Sequence, residues 1–146
     1  MSLNCKLALS TCNKVIDEEL FRNYSKNNIE AMEISATLNE YENMDFLQLK
    51  KWSEKYNVGL WSLHLPFFPF DKIDISNREI SKQTVEIFKY YIKKANSIGI
   101  KVFVIHPSGE PIEESERAAK IACAKNSLKD LAEYAAQIGC IIAVED

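Results

Sequence analysis

Short runs of apolar residues alternate along the chain with longer segments in which apolar residues recur at helical spacing. The apolar runs have the length and composition of buried strands, and the amphipathic segments are long enough for helices. The predicted strands are 6–10, 29–34, 58–65, 101–105 and 140–144, and the predicted helices are 17–28, 45–56, 77–98 and 113–138. Gly99 and Gly139 each follow the last periodic residue of a helix, as C-terminal glycines do.

The alternation of strands with helices predicts an α/β fold with a parallel sheet, because a tight turn cannot join two parallel strands. Residues 102–105 and 141–144 are apolar at every position. Such runs are typical of strands covered on both faces, or of a barrel wall packed inside and out. With 146 residues, 47% of them hydrophobic, the chain has the size of one domain. We expect a single (β/α)4-β domain over residues 1–146.

Composition argues against membrane proteins and nucleic-acid-binding proteins. No stretch approaches the roughly 20 apolar residues of a membrane span, and the N-terminus lacks the layout of a signal peptide. The net charge is −3, and the 18 basic residues are scattered rather than clustered. The 4 cysteines lack metal-binding or C-x-x-C spacing, so we interpret them as reduced, buried residues. We therefore expect a cytoplasmic protein that binds neither nucleic acid nor membranes.

The only 2 histidines of the chain stand where predicted strands end. His64 ends the third strand, His106 follows the fourth, and Glu145 follows the fifth. Because the carboxyl ends of parallel strands meet at one edge of a sheet, we expect these side chains to converge there. Two imidazoles and a carboxylate suit a divalent metal and proton transfer. Glu33 ends the second strand in the same way, and its role, either a fourth member of the set or a surface ion pair, stays open.

Four segments of the chain resemble the xylose isomerase-like superfamily of (β/α)8 barrels, which includes sugar isomerases and epimerases, inosose dehydratases and apurinic-site endonucleases. The segments are Ile29-Glu-Ala-Met-Glu33-Ile34, Ser62-Leu-His64-Leu-Pro66, Val104-Ile-His106-Pro107 and residues 126–145. The similarity extends over nearly the whole chain but covers only five of the eight strands of a family barrel. It implies the N-terminal portion of a TIM-type barrel, incomplete, with strands 1 to 5 in sequential order.

The resemblance also implies roles for the strand-end residues. Glu145 takes the place of a metal ligand, and in the isomerase and epimerase branch this glutamate is also one of two carboxylates that move a proton beside a carbonyl. His64 and His106 would contact substrate in that branch, or bind zinc directly in the endonuclease branch. The implied cofactor of the full-length family is a divalent ion (Mn, Mg, Co or Zn). Whether this fragment binds the ion stays open. Asp146 stands where many members have Asn.

The resemblance implies the N-terminal part of a metal-dependent sugar or sugar-phosphate isomerase or epimerase. The expected partner is a small sugar or polyol, since a sugar phosphate needs an anion site and the sequence reveals none. The family's remaining ligands, on strands six to eight, have no counterpart in this chain. We therefore expect the isolated chain to be catalytically inactive. Strands one and five would be open sheet edges, so we expect pairing between copies into a homo-oligomer.

Other interpretations stay open. A flavodoxin-like binding or regulatory domain also has five strands, in the order 2-1-3-4-5, so strand order separates it from a barrel fragment. A metal phosphodiesterase resembling the apurinic-site endonucleases is a further alternative, although a DNA backbone calls for clustered lysines and arginines. The last alternative is a half-barrel that functions only as a homodimer or beside a partner chain.

Overall fold

The computed structural model describes residues 7–109 and 111–145. Within these ranges the chain forms one sheet, whose strands are β1 (Ala8–Ser10), β2 (Ala31–Ser35), β3 (Gly59–His64), β4 (Val102–Ile105) and β5 (Ile141–Val144). The helices between them are α1 (Glu18–Lys26), α2 (Leu38–Glu42), α3 (Phe46–Tyr56), α4 (Ser81–Asn96) and α5 (Glu114–Gln137). The predicted strands and helices are all present, with ends that differ by a few residues.

The strands are parallel, and their order in the sheet is β1-β2-β3-β4-β5. This order confirms the predicted incomplete barrel and excludes the flavodoxin-like arrangement, in which the first strand lies between the second and third. Right-handed crossovers between strands in sequential order place the connecting helices on one face of the sheet. The other face is left without a helical layer from these crossovers.

Local hydrogen bonds explain where the helices begin and end. Asp45, the N-cap residue of α3, accepts a hydrogen bond from the backbone N–H of Gln48 (3.0 Å). Gly99 and Gly139 have φ values of +102° and +68° after α4 and α5, which confirms them as C-terminal glycines. The short helix α2 is not predicted by periodicity. The sequence motif that marks this helix is the capping box of Thr37 and Glu40, in which each side chain accepts a hydrogen bond from the other residue's backbone N–H.

The hydrophobic core lies between the sheet and its helices. Met32, Phe103 and Ile105 are at most 1% exposed and belong to one cluster with residues of the surrounding helices. By contrast, Trp61 and Ile141 are 64% and 62% exposed. Trp61 is the extra residue of a bulge, because Leu60 pairs with Met32 while Ser62 pairs with the next residue of β2.

The cysteines differ in environment. Cys140 is buried, Cys123 is half-buried and Cys12 is exposed, all as free thiols, and Cys5 lies outside the described residues. Burial raises the pKa of the Cys140 thiol, and the positive charge of Lys101 opposes this only in part. The interpretation of the cysteines as buried apolar residues is therefore confirmed for Cys140 and wrong for Cys12, which follows β1 at the surface.

None of the helices in residues 7–109 and 111–145 combines the length and the hydropathy needed to cross a bilayer.

Candidate metal centre

The structure brings the two histidines and Glu145 together at the carboxyl edge of the sheet. His64 is the last residue of β3, His106 directly follows β4, and Glu145 directly follows β5. Their nitrogen and carboxylate oxygen ligand atoms all lie within 4.8 Å of one another. Parallel pairing continues past the ends of the strands, because the N–H of Glu145 donates to the carbonyl of Ile105 (3.0 Å). This hydrogen bond holds Glu145 level with His106.

Phe67 packs against both imidazoles. The ring centroids of His64 and His106 are 4.8 Å apart at an interplanar angle of 45°, and Phe67 meets them edge-on at 5.2 Å and 5.3 Å. Three rings in mutual contact restrict one another's rotation, because each ring fills the space that another would turn into. Phe67 belongs to the irregular stretch after β3 and holds the two histidines in place.

The hydrogen bond on the far side of His64 determines its tautomer. Nδ1 lies 2.8 Å from the carbonyl oxygen of Leu65, and a carbonyl can only accept, so Nδ1 carries a hydrogen and donates. Nε2 then faces the Glu145 Oε2 atom at 3.3 Å. In a neutral imidazole these two atoms would be facing acceptors. A cation bound by both atoms, or a hydrogen shared between them, makes this contact favourable.

This donor set fits a divalent cation. Imidazole nitrogen and carboxylate oxygen are ligands of zinc and related ions, and a metal-binding imidazole commonly donates its other N–H to a backbone carbonyl. The His64 side chain is only 7% exposed, while that of Glu145 is 55% exposed and reaches the solvent side of the site. Three protein ligands leave room for a substrate or further ligands on the cation.

A buried tyrosine fixes the backbone at the end of β3. The hydroxyl of Tyr41 donates to the carbonyl of His64 (2.6 Å) and lies 3.1 Å from the carbonyl of Ile34 on β2. Burial, followed by the negative charge of Glu33, raises the pKa of Tyr41 well above its ordinary value, so this hydroxyl stays a neutral donor. Helix α2, which carries Tyr41, therefore positions a residue of the metal centre.

Glu33 is not part of the converging set. The ligand atoms that meet within 4.8 Å in the described chain are those of His64, His106 and Glu145. Glu33 instead accepts a hydrogen bond from the buried hydroxyl of Ser62 (3.1 Å) on the neighbouring strand. Its role in this structure is to join β2 to β3 beside the bulge.

A cleft of about 580 Å³ opens from the metal centre toward α5. His106 and Glu145 line it on the side of the metal centre, and Phe67 and Phe70 form an apolar wall. The rest of the lining is Ser76, Pro107, Ser108, Ile112, Arg117, Lys120, Ile121 and Ala124. The volume is that of a small-molecule site.

Sequence reasoning missed Arg117 and Lys120 as cleft residues, because the basic residues look scattered along the chain. The sequence feature that could have identified them is their spacing of three residues on one helix, which puts the two side chains on the same face.

Comparison with known proteins identifies the family. The family model described as xylose isomerase-like TIM barrel matches residues 21–146. This chain belongs to the xylose isomerase-like TIM barrel family. The match includes β2 to β5 and thus all three residues of the candidate metal centre, so the resemblance found in the sequence is confirmed. No curated protein matches the sequence.

Solved structures of this fold include several sugar epimerases. A D-tagatose 3-epimerase-like protein has a TM-score of 0.78 at 21% identity over 97% of this chain. D-psicose 3-epimerase from Clostridium cellulolyticum has a TM-score of 0.77 at 12% identity over 96% of this chain. A sugar phosphate isomerase/epimerase from Parabacteroides distasonis has a TM-score of 0.72 at 15% identity over 99% of this chain. The chain spans about half of these structures, namely 53%, 52% and 52% of their lengths.

Proposed function

We propose that this chain supplies the N-terminal half of the metal site in a sugar or sugar-phosphate isomerase or epimerase. The observation that carries the proposal is the convergence of His64, His106 and Glu145 within 4.8 Å at the carboxyl edge of a parallel sheet. Family membership and the names of the similar structures support sugar chemistry. The adjoining cleft of about 580 Å³ supports a small-molecule substrate.

Each residue has a proposed role. Glu145 is a metal ligand and the carboxylate that moves a proton at a carbon beside a carbonyl, a task that its exposed position at the cleft permits. His64 is a ligand through Nε2, because the hydrogen bond from Nδ1 to Leu65 leaves Nε2 for the cation. His106 is the third ligand or contacts the substrate from the floor of the cleft. A bound divalent ion, Mn, Mg, Co or Zn, would supply Lewis-acid polarisation of the carbonyl.

The domain proposal is that residues 1–146 form one (β/α)4-β unit, the N-terminal portion of a (β/α)8 barrel. The open edges of such a unit are β1 and β5, where Leu9 is 43% exposed and Val144 is 55% exposed. We expect the isolated chain to be inactive and to associate with further copies through these edges. Epimerisation of a ketose by the purified chain would contradict inactivity, and a monomeric mass by light scattering would contradict association. The expected compartment is the cytoplasm.

The metal centre is tested by titrating the purified chain with Mn²⁺ and with Zn²⁺ in a calorimeter. We expect one saturable site per chain, and a loss of affinity of about 100-fold in His106→Ala or Glu145→Gln, because each substitution removes one of three ligands. Glu133→Gln is the matched control, since Glu133 is an exposed carboxylate on α5 away from the cleft. Equal affinity in the wild type and in Glu145→Gln would refute the site, and a loss of affinity in Glu145→Gln without one in His106→Ala would assign His106 to substrate contact.

One observation favours a second candidate, a metal phosphodiesterase resembling the apurinic-site endonucleases. Both imidazoles lie within ligand distance of one another and of Glu145, which fits the branch in which the two histidines bind zinc directly. The net charge of −3 counts against a DNA substrate. Titration of the purified chain with a duplex that contains an abasic site separates the candidates, because only the second predicts zinc-dependent binding of that duplex.

A further inference from the structure

We infer that the cleft takes a phosphorylated sugar, and that Arg117 and Lys120 bind its phosphate group. This inference rests on the proposed function and selects the sugar phosphate from the two substrate classes named there. Both cations line the same cleft as His106 and Glu145. A ligand of sugar-phosphate size can therefore place its carbonyl end at the strand rim and its phosphate at the α5 wall.

Lys120 is held in place by a buried carboxylate. Its Nζ lies 3.3 Å from Asp74 Oδ2, and its side chain is 21% exposed whereas that of Asp74 is 5% exposed. The other oxygen, Oδ1, accepts from the N–H of Ser76 (2.7 Å) and from its hydroxyl (2.6 Å). An ammonium group has several N–H donors, and Asp74 accepts from one of them. Lys120 is thus oriented by Asp74 while it keeps donors for a ligand in the cleft.

Arg117 adds a second cation whose present hydrogen bond contributes little to stability. Its Nε donates to Glu114 Oε2 at 2.9 Å, in a surface pair whose side chains are 54% and 86% exposed. Exposed pairs of this kind contribute little stability. The remaining guanidinium donors have the planar geometry that matches phosphate oxygens. A phosphate can therefore engage Arg117 without breaking a strong interaction.

The charges suit a phosphate better than a neutral sugar. A phosphate monoester carries close to two negative charges at neutral pH, and the α5 wall presents two cations to it. Each cation has a carboxylate partner, but Asp74 is buried beneath Lys120, Glu114 lies out in solvent, and neither lines the cleft. Among the described lining residues the carboxylate is that of Glu145 at the strand rim, which the proposed function assigns to the metal ion. This inference departs from the expectation of a neutral sugar or polyol, which rested on the lack of an anion site in the sequence.

The test measures phosphate binding separately from metal binding. In metal-free buffer at near-physiological ionic strength, the purified chain is titrated with inorganic phosphate, D-fructose 6-phosphate and D-fructose. We expect saturable binding of both phosphates, and binding of the sugar phosphate about tenfold or more tighter than that of D-fructose. Arg117→Gln should reduce this preference about tenfold, with Mn²⁺ affinity unchanged. Lys120→Arg should retain the preference, and Lys120→Gln should lose it.

Lys129→Gln is the matched control, because it removes the same charge from the same helix. The side chain of Lys129 is 77% exposed. Equal affinity for D-fructose and D-fructose 6-phosphate would overturn the inference, and so would a loss of the phosphate preference in Lys129→Gln as large as that in Arg117→Gln. Normal Mn²⁺ binding in the same experiment would leave the proposed function standing. Tighter binding of D-glucuronate than of D-fructose 6-phosphate would assign the site to a carboxylate and overturn the phosphate. Since Lys120→Gln leaves Asp74 without its cation, the exposed Arg117→Gln decides the result if the Lys120 variant unfolds.

Discussion

The two faces of the sheet differ in how much apolar side-chain area they bury. On the helix-covered face, Phe103 and Ile105 are at most 1% exposed and join one continuous hydrophobic cluster. Away from that cluster, Trp61 and Ile141 are more than half exposed, and the chemistry of the chain is concentrated at the strand ends. Stability therefore comes from the covered face, because burial of apolar area is the dominant favourable contribution to folding.

The hydrophobic core and the candidate site draw on different parts of each strand-helix unit. Each strand-helix unit buries its own apolar face against the neighbouring helices, so the core needs only these five strands. The candidate metal centre takes its residues from the ends of three adjacent strands. The fold and the candidate site thus depend on different residues.

The largest expected effect is at Phe103. Phe103→Ala on the covered face should lower the free energy of unfolding by about 3–5 kcal/mol, because it leaves a cavity in the core. Trp61→Ala is the paired variant and should change it by about 0.5 kcal/mol or less, since Trp61 is 64% exposed. Urea unfolding followed by circular dichroism measures both. Similar losses in the two variants would mean that another chain covers the exposed face, and would remove the contrast.

The next effect is at Tyr41, which connects the covered face to the metal centre. Tyr41→Phe should cost about 1–2 kcal/mol, because it removes the donor to the carbonyl of His64 in a fully buried place. Urea unfolding is again the measurement. Tyr90→Phe serves as the control, because Tyr90 is 58% exposed. A cost at Tyr41 no greater than that at Tyr90 would show that α2 does not anchor the end of β3.

A smaller effect is expected at the capping box of α2. Backbone and side-chain hydrogen bonds from Thr37 lower the pKa of Glu40, so the interaction stabilises the fold above the unfolded-state pKa and is lost as pH falls through the lowered folded value. Glu40→Ala should cost about 0.5–1 kcal/mol at neutral pH. The difference from wild type should disappear in acid, as urea unfolding at several pH values would show. Glu42→Ala, on the same helix outside the capping box, is the matched control.

The smallest effect concerns thiol reactivity and alters no stability. Cys12 is exposed, and Cys140 is buried with a raised pKa, so alkylation should modify Cys12 first, Cys123 next and Cys140 last. Timed alkylation followed by peptide mass spectrometry gives the order. Rapid labelling of Cys140 would show that the packing between α5 and β5 opens readily and that the covered face is less uniform than the burial indicates.

Most of the fold was predictable because its causes are local. Continuous apolar runs such as 102–105 and terminal glycines such as Gly99 mark strands and helix ends within a few residues. Helix α2 escaped prediction because its 5 residues are too few to show a helical period, although its capping box was readable. The bulge at Trp61 was not predictable, because the extra residue depends on how β3 pairs with β2.

The candidate site divides in the same way. Placement of His64, His106 and Glu145 at consecutive strand ends follows from their positions in the sequence. The addition of Arg117 and Lys120 to the same cleft does not, since it depends on how α5 packs beside the loop after β4. Glu33 has the same place in its strand as the others, yet the bulge and Ser62 give it a different partner.

By itself, the sequence determined the alternation of strands and helices and the rim on which the histidines and Glu145 lie, because periodicity and strand-end position are properties of short segments. Only the tertiary structure decided the 3.3 Å approach of His64 to Glu145, the tautomer of His64 and the two cations at the α5 wall. These features join residues far apart in the chain. Side-chain packing selects their rotamers and distances, and no local pattern records that selection.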